Sequence, residues 1–106
     1  MAYNKYRNVK TEVDGIRFDS RAEAKRYSEL KILEKAGEIS RLELQPEFVC
    51  KVEGKLICKY RADFRYFTAK ERVVEDVKGF KTPIYRLKKK LVEALFKGTR
   101  IVEIAK

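Results

Sequence analysis

The segment from Tyr60 to Gly79, YRADFRYFTAKERVVEDVKG, constrains the fold more strongly than any other part of the sequence. Apolar and polar residues alternate on both sides of TAKE, which predicts two antiparallel strands joined by a short turn. The turn is centred between Ala69 and Lys70, and in an even, symmetric loop the residues equally far from that centre lie opposite each other. Asp63 and Asp76 form such a pair. The sequence therefore predicts that their side chains face each other across the two strands.

An aspartate pair of this kind is unfavourable in a sheet that has only a structural role. Directly opposed side chains in antiparallel strands have Cβ atoms about 4.5–5.5 Å apart, and like charges there are destabilising. A divalent cation would make the arrangement favourable instead of repulsive, because two carboxylates at that separation can share Mg²⁺ or Mn²⁺. Lys78 is expected on the same face as Asp76, where it can position an attacking water or stabilise charge that develops on a phosphate. The spacing therefore favours phosphodiester hydrolysis.

A second interpretation of the same spacing stays open. The two aspartates can belong to a solvated hairpin face on which Arg61, Arg65 and Lys78 neutralise them, and a bulge in either strand would separate them. However, the second strand, VVEDVKG, is mostly apolar and is expected to be central in the sheet. Three charged side chains on a central strand are difficult to explain as surface.

Local signals define the elements before this segment. Asp14-Gly15 is a two-residue turn signal between KTEV and IRF, which predicts a hairpin. Ser20 is a suitable N-cap for a helix that runs to about Ala36. Beyond it, ISRLELQPEF alternates like a strand until Pro46, and VCKV and KLIC predict a further hairpin.

The chain ends with a predicted helix and strand. Thr82 and Pro83 are an N-cap and a first-turn proline, and apolar residues at helical spacing follow to about residue 97. Those residues are Ile84, Leu87, Leu91 and Leu95, and basic side chains cover the opposite face. The final strand, RIVEI, can lie parallel to an earlier strand after this helical crossover.

Together the elements predict an α/β fold of the α+β kind, with a mixed sheet flanked by helices in the order β-hairpin-α-β-β-β-β-α-β. A chain of 106 residues suits one domain. We assign this domain to residues 9–106 and expect a basic, flexible arm at residues 1–8.

Charge and composition limit the function. Lys and Arg number 26 against 16 Asp and Glu, so the net charge of +10 attracts polyanions, and nucleic acid is the first partner to consider. No apolar run approaches the roughly 18 residues of a spanning helix, and the N-terminus lacks the apolar core of a signal peptide. With two cysteines and no disulfide framework, we expect a cytoplasmic protein. The chain has no histidine, which excludes His-dependent catalysis and removes the usual zinc ligands, so chemistry must use carboxylates, lysines and a hard metal ion.

These residues resemble a known family. Asp63, followed after twelve residues by Asp76-Val77-Lys78, is similar to the core motif of the PD-(D/E)XK, or restriction-endonuclease-like, nucleases. The phrases FDSRAEAKRYSELK, LQPEF, YRADFRY and VVEDVKG resemble most closely a small phage and prophage family of unknown function within that superfamily. The resemblance covers about residues 4–104. Ala62 stands where the motif has proline, a common variation.

The resemblance implies a Mg²⁺-dependent DNA endonuclease, with Mn²⁺ as a possible substitute. Similarity in size and motif order to Holliday junction resolvases implies branched or structured DNA as substrate, in phage recombination or replication within the host cytoplasm. It also implies a homodimer, because one site per chain needs two copies to cut both strands. A non-catalytic DNA-binding protein that keeps the nuclease fold is the alternative, and a nuclease that acts on RNA also remains open.

The resemblance also implies roles for individual residues. Asp63 and Asp76 would hold the metal, and Lys78 would position water. A Glu on the first helix often faces the metal in these nucleases, so Glu23 is a candidate ligand, although its spacing from Ser20 is equally that of a capping box. Glu75 neighbours Asp76 but points to the other face, and we prefer Asp76 as the ligand.

Gln45 is a candidate for supporting the site or contacting phosphate, or else an ordinary polar residue of an edge strand. Basic residues are expected to bind the DNA backbone without reading sequence, or to form a solvated surface. The DNA-binding candidates are Lys5, Arg7, Lys10, Arg17, Arg21, Lys81, Tyr85, Arg86, Lys88 and Lys89. No segment resembles a base-reading helix, so selectivity is expected to come from DNA shape.

Overall fold

The computed structural model describes residues 10–106, and these form an α+β fold with a mixed sheet flanked by two helices. The expected arm at residues 1–8, with Lys5 and Arg7, lies outside the described residues. The elements in chain order are β1 Thr11–Val13, β2 Ile16–Phe18, α1 Arg21–Lys35, β3 Ser40–Leu44, β4 Glu47–Val52, β5 Lys55–Arg61, β6 Phe64–Phe67, β7 Arg72–Lys78, α2 Pro83–Leu95 and β8 Thr99–Ala105.

The main sheet has the strand order β3-β6-β7-β8, with β7 in the interior. Five consecutive residues of β7, Val73–Val77, are buried because the sheet is covered on both faces. The last strand, β8, pairs parallel with β7, as the sequence predicted. The expectation of a central strand at VVEDVKG is therefore confirmed.

The predicted register of the hairpin between β6 and β7 is confirmed. Phe64 lies opposite Glu75 and Phe67 lies opposite Arg72, so the centre of symmetry falls where the sequence placed it. The side chain of Thr68 fixes the turn, since its hydroxyl accepts hydrogen bonds from the backbone amides two and three residues further on, at 3.2 and 3.1 Å.

Two smaller hairpins also form at their predicted turns. In the turn between β1 and β2, Asp14 and Gly15 both have positive φ, 53° and 76°, which is the backbone of a type I′ turn. In the turn between β4 and β5, Glu53 and Gly54 have φ of 51° and 82°. This second hairpin forms a separate two-stranded sheet.

The predicted count of four strands between the helices is wrong, because five strands are present. The apolar-polar alternation before TAKE predicts a single strand with Tyr60, Ala62, Phe64 and Tyr66 on one face. In the structure, Tyr60 and Ala62 belong to the apolar cluster that contacts α2, whereas Phe64 and Tyr66 belong to the cluster that contacts α1. The chain therefore crosses from one side of the sheet to the other between β5 and β6.

Backbone hydrogen bonds explain this break. The amide of Ala62 donates to the carbonyl of Pro46 at 3.1 Å, and the amide of Gln45 donates to the carbonyl of Asp63 at 2.9 Å. The points at which the strands are interrupted, one after β3 and one after β5, are thus hydrogen-bonded to each other. Asp63 lies at this junction, directly before β6.

Helix α1 begins and ends as predicted, with Ser20 as its N-cap. Its buried residues, Ala24, Tyr27 and Leu30, pack against the first hairpin and one face of the sheet. No helix in residues 10–106 is long and apolar enough to cross a membrane.

Helix α2 has the predicted length but buries a different face. Tyr85 and Val92 are the buried residues, whereas Ile84 and Leu87 are 68% and 67% exposed. Ile84 and Leu87 therefore face away from the sheet, whereas Leu91 is half-buried against the apolar cluster below α2. Helical spacing of apolar residues identifies a possible face, but this helix carries apolar residues on more than one face, and the large ring of Tyr85 packs against Tyr60 instead.

Candidate active site

One cavity of about 620 Å³ opens where β7 ends, between the start of β6 and the first turn of α1. Five of the residues singled out in the sequence line it together: Glu23, Gln45, Asp63, Asp76 and Lys78. They come from α1, from the break after β3, from the break before β6 and from β7. Residues distant in sequence thus converge on one concave surface, as is usual for a ligand site.

Asp63 is held in place by both its backbone and its side chain. Its amide donates to the carbonyl of Glu75 at 3.0 Å, and its carboxylate accepts the amide of Val77 at 2.7 Å. The carboxylate thus takes a position where a strand partner would normally supply a backbone carbonyl. The ladder between β6 and β7 ends here, and the remaining carboxylate surface faces the cavity.

Asp76 lies beside Asp63 and is almost completely buried. Its carboxylate accepts a hydrogen bond from the hydroxyl of Tyr60, and the ammonium of Lys78 is 3.8 Å away. The pKa of Asp76 is raised from 3.8 to about 7. Burial is the main cause, and contact with Asp63 contributes to the same rise. The two aspartates therefore meet as the sequence predicted, and Asp76 is hard to ionise without an added positive charge.

Lys78 is fixed above an aromatic ring. Its ammonium lies 4.5 Å from the ring centre of Tyr85, and the hydroxyl of Tyr85 donates to Glu103 at 2.9 Å. The side chain of Tyr85 is buried and its hydroxyl is occupied, although it lines a groove beside the cavity. Its contact with DNA stays a prediction. Tyr85 supports Lys78 from below.

Glu23 takes part in the cap of α1 and also lines the cavity. Its backbone amide donates to the hydroxyl of Ser20 at 3.1 Å, which caps α1, and the same hydroxyl lies 3.4 Å from its carboxylate. The carboxylate also lines the cavity. Burial and the nearby charge of Asp63 raise the pKa of Glu23, so the two carboxylates are close enough to influence each other.

Gln45 is exposed at the edge of the cavity rather than within a strand. Its φ is 51°, a left-handed conformation that is uncommon outside glycine and occurs often at functional sites. It lies in the break between β3 and β4, where its amide is bonded to Asp63. The side chain is therefore placed beside the aspartate pair.

Glu75 lies on the other face of β7, away from the cavity. Arg26 donates two hydrogen bonds to its carboxylate, at 2.7 and 2.6 Å, and the hydroxyl of Tyr66 donates a third. This arrangement joins α1 to the sheet and leaves Glu75 fully paired. The preference for Asp76 over Glu75 as a cavity ligand agrees with this placement.

Several cavity residues were not identified from the sequence as part of the site: Asp19, Arg61, Phe80 and Lys106. Lys106 reaches it because β8 runs parallel to β7 with Ala105 beside Lys78. A side chain at Gly79 would approach Lys106 Cδ to 3.2 Å, so the two segments pass closely. Only the pairing of β7 with β8, which local patterns do not determine, could have revealed Lys106.

The predicted basic surface is divided between several elements. Arg17, on β2, lines a smaller cavity that it shares with Glu23, Gln45 and Asp63. Arg21 and Arg86 are exposed, and Lys10 pairs with Asp19 at 3.4 Å. On and next to α2, Lys81 and Lys89 both approach Glu103. Lys88 donates to the carbonyl of Lys59. Two sides of the candidate site thus carry cations.

The aspartate pair fits a hydrated divalent cation. Within residues 10–106, no three acidic or cysteine side chains converge closely enough to form a complete binding group. Two adjacent carboxylates without a full protein cage match Mg²⁺, which usually keeps several waters and takes one or two carboxylates. A bound cation would also offset the burial and the repulsion from Asp63 that together raise the pKa of Asp76.

Comparison with family models identifies the family of this chain. The model described as "Protein of unknown function (DUF1064)" matches residues 3–106, so the chain belongs to this family. No curated protein and no solved structure matches the chain.

Proposed function

We propose that this family member is a Mg²⁺-dependent endonuclease of the PD-(D/E)XK type that hydrolyses phosphodiester bonds in DNA. One observation carries the proposal. Asp63 and Asp76 meet at the wall of a cavity that also contains Glu23 and Lys78, and Asp76 has a pKa raised to about 7. A buried like-charge pair lowers stability, so its presence favours a role in binding a cation.

The protein residues have separate tasks in this mechanism. Asp63 and Asp76 would hold the ion, and Glu23 would complete or orient its surroundings. Bound there, Mg²⁺ would supply neutralising charge at the phosphate and make water a better nucleophile. Lys78, fixed by the ring of Tyr85, would position the attacking water and stabilise negative charge in the transition state. Water would form the new bond to phosphorus as the bond to one ester oxygen breaks, and that oxygen would leave as a hydroxyl after taking a proton from solvent.

The net charge of +10 and the cations on either side of the cavity support a nucleic-acid substrate. In this proposal the preferred substrate is branched or structured DNA in phage recombination or replication, with two copies of the chain cutting opposite strands. Selectivity would then come from DNA shape, since none of the elements in residues 10–106 has the features of a base-reading helix.

Cleavage assays test this function directly. The purified protein is incubated with four-way junction, nicked, flap and linear DNA, and with RNA of the same sequences, in Mg²⁺, Mn²⁺ or EDTA. We expect metal-dependent cleavage that falls about 10²- to 10³-fold in Asp76→Asn and in Lys78→Ala, the typical cost of losing one group that stabilises transition-state charge. Glu43→Gln is the matched control, because that carboxylate is exposed and lies outside the cavity.

Two results would contradict the proposal. Cleavage that survives EDTA or Asp76→Asn would point to a contaminating nuclease. Tight binding of DNA with no cleavage of any substrate in either metal would assign the chain to the non-catalytic DNA-binding class. Cleavage of RNA alone would keep the chemistry and change the substrate.

A further inference from the structure

Phe80 is an exposed aromatic residue at the wall of the candidate active site. It lies in the connection between β7 and α2 and is 79% exposed, more than any other large apolar side chain in residues 10–106. Neither apolar cluster includes it. It nevertheless lines the same cavity as Asp63, Asp76 and Lys78. Folding therefore gives no reason for a phenyl ring at this position.

The surroundings of Phe80 favour an anionic partner. Arg61, Lys78 and Lys106 line the cavity with it, and Lys81 follows it in the chain. These cations share the cavity with four carboxylates, Asp19, Glu23, Asp63 and Asp76, so a polyanion is attracted once a divalent cation is held at the aspartate pair. A nucleic acid offers both features together, namely phosphates for the cations and flat bases for the ring.

A groove continues from the cavity and gives the strand a path. It has a volume of about 270 Å³ and shares Arg61 and Lys78 with the cavity. Lys59 and Lys88 line its far part, where the ammonium of Lys88 is bonded to the carbonyl of Lys59 at 3.1 Å. A strand with one phosphate at the aspartate pair can thus place a neighbouring phosphate in this groove.

We propose that Phe80 stacks on an unpaired base next to the phosphate held at the aspartate pair. This rests on the proposed function of the site and names its substrate class, a nucleic acid with unpaired bases beside the cleavage position. Stacking of a base on an aromatic side chain contributes about 1–3 kcal/mol, whereas unstacking a paired step costs a few kcal/mol. The ring therefore favours flaps, junctions and single strands over intact duplex.

The absence of tryptophan from the chain makes a direct test possible. Phe80→Trp introduces a single indole at the cavity wall. Its fluorescence is followed in Ca²⁺, a hard cation that can occupy the aspartate pair but lacks the strict octahedral geometry of Mg²⁺, during titration with single-stranded, flap and blunt duplex oligonucleotides of DNA and RNA. We expect quenching by the substrates that carry unpaired bases and little change with blunt duplex.

Affinity measurements in the same buffer complete the test. Phe80→Ala is expected to weaken binding to single-stranded and flap oligonucleotides about 5- to 150-fold, the fold-change that corresponds to the stacking free energy. Binding to blunt duplex should change less than about twofold, since no base is available to stack. Leu87→Ala is the matched control, because Leu87 is similarly exposed, at 67%, but does not line the cavity.

Failure of this inference is distinguishable from failure of the proposed function. Cleavage that needs Asp76 but is accompanied by equal affinities of Phe80→Ala and wild type would keep the nuclease and overturn the stacking role. Substrate-dependent quenching without any cleavage would keep the stacking role and overturn the nuclease. Loss of self-association in Phe80→Ala with unchanged oligonucleotide affinity would assign the ring to a contact between copies of the chain and overturn the inference.

Discussion

Glu75 and Asp76 are neighbours on one strand, both are carboxylates, and they are only 1% and 3% exposed, yet they lie in opposite electrostatic environments. Glu75 faces α1, where Arg26 and Tyr66 satisfy its oxygens. Asp76 faces the cavity, where it meets a second carboxylate and has a pKa raised to about 7. Burial alone therefore does not mark a functional residue. The informative feature is a buried charge for which the protein supplies too little compensation.

The largest effect should come from removing the partner of Glu75. In Arg26→Ala, the buried carboxylate of Glu75 loses a bidentate ion pair, and breaking a buried pair in this way typically costs about 3–5 kcal/mol. Urea unfolding at pH 8 measures the free energy of unfolding. Arg65→Ala is the matched control, because Arg65 is about as exposed as Arg26 and bonds in a similar way to Glu43, a carboxylate that is itself exposed. At most about 1 kcal/mol is expected there. Equal losses in the two variants would remove the distinction between buried and exposed pairs.

The second-largest effect is a pH dependence of the free energy of unfolding, and it should come from Asp76 on the cavity face of β7. Unfolded Asp76 loses its proton near pH 3.8 and folded Asp76 near pH 7, so between these values the folded state holds more protons and its stability falls as pH rises. Allowing for solvent that reaches the cavity, this contribution is on the order of 2 kcal/mol.

Urea unfolding in EDTA from pH 4 to pH 8 measures this slope. Asp76→Asn should flatten it and raise the free energy of unfolding at pH 8, because the amide keeps the bond from Tyr60 without a charge. Glu75→Gln makes the same chemical change one residue away, and should lower stability while leaving the slope from Asp76 in place. An Asp76→Asn variant that is less stable than wild type at pH 8 would refute the repulsion between Asp63 and Asp76.

The smallest effect should come from adding Mg²⁺. A ligand that binds only the folded state at ten times its dissociation constant stabilises by about 1.4 kcal/mol. Thermal unfolding at pH 8 should therefore shift upward with Mg²⁺ in wild type and in Arg65→Ala, and should not shift in Asp76→Asn. An equal shift in Asp76→Asn would place the binding of the ion elsewhere.

The sequence was informative wherever structure depends on near neighbours. The register of β6 with β7, which brings Asp63 beside Asp76, followed from a symmetric turn. The caps at Ser20 and Thr82 followed from single side chains that bond nearby amides. These features depend on local geometry that each segment carries in itself.

The sequence was less informative where structure depends on what packs nearby. Periodicity predicts neither the exposure of Ile84 and Leu87 on α2 nor the break between β5 and β6, because each depends on which surface a distant segment covers. The contribution of Lys106 depends in the same way on pairing between β7 and β8. The aspartate pair was therefore predictable, while much of the wall around it was not.

The bond from the Val77 amide to the Asp63 carboxylate has an evolutionary consequence. Asp63 belongs both to the candidate site and to the hydrogen bonding of the sheet, whereas Asp76 lowers the stability of the metal-free fold. A lineage under no selection for cleavage would gain stability by replacing Asp76 but would lose it by replacing Asp63. Family members that have become binding proteins should therefore be recognisable by a lost Asp76 and a retained Asp63.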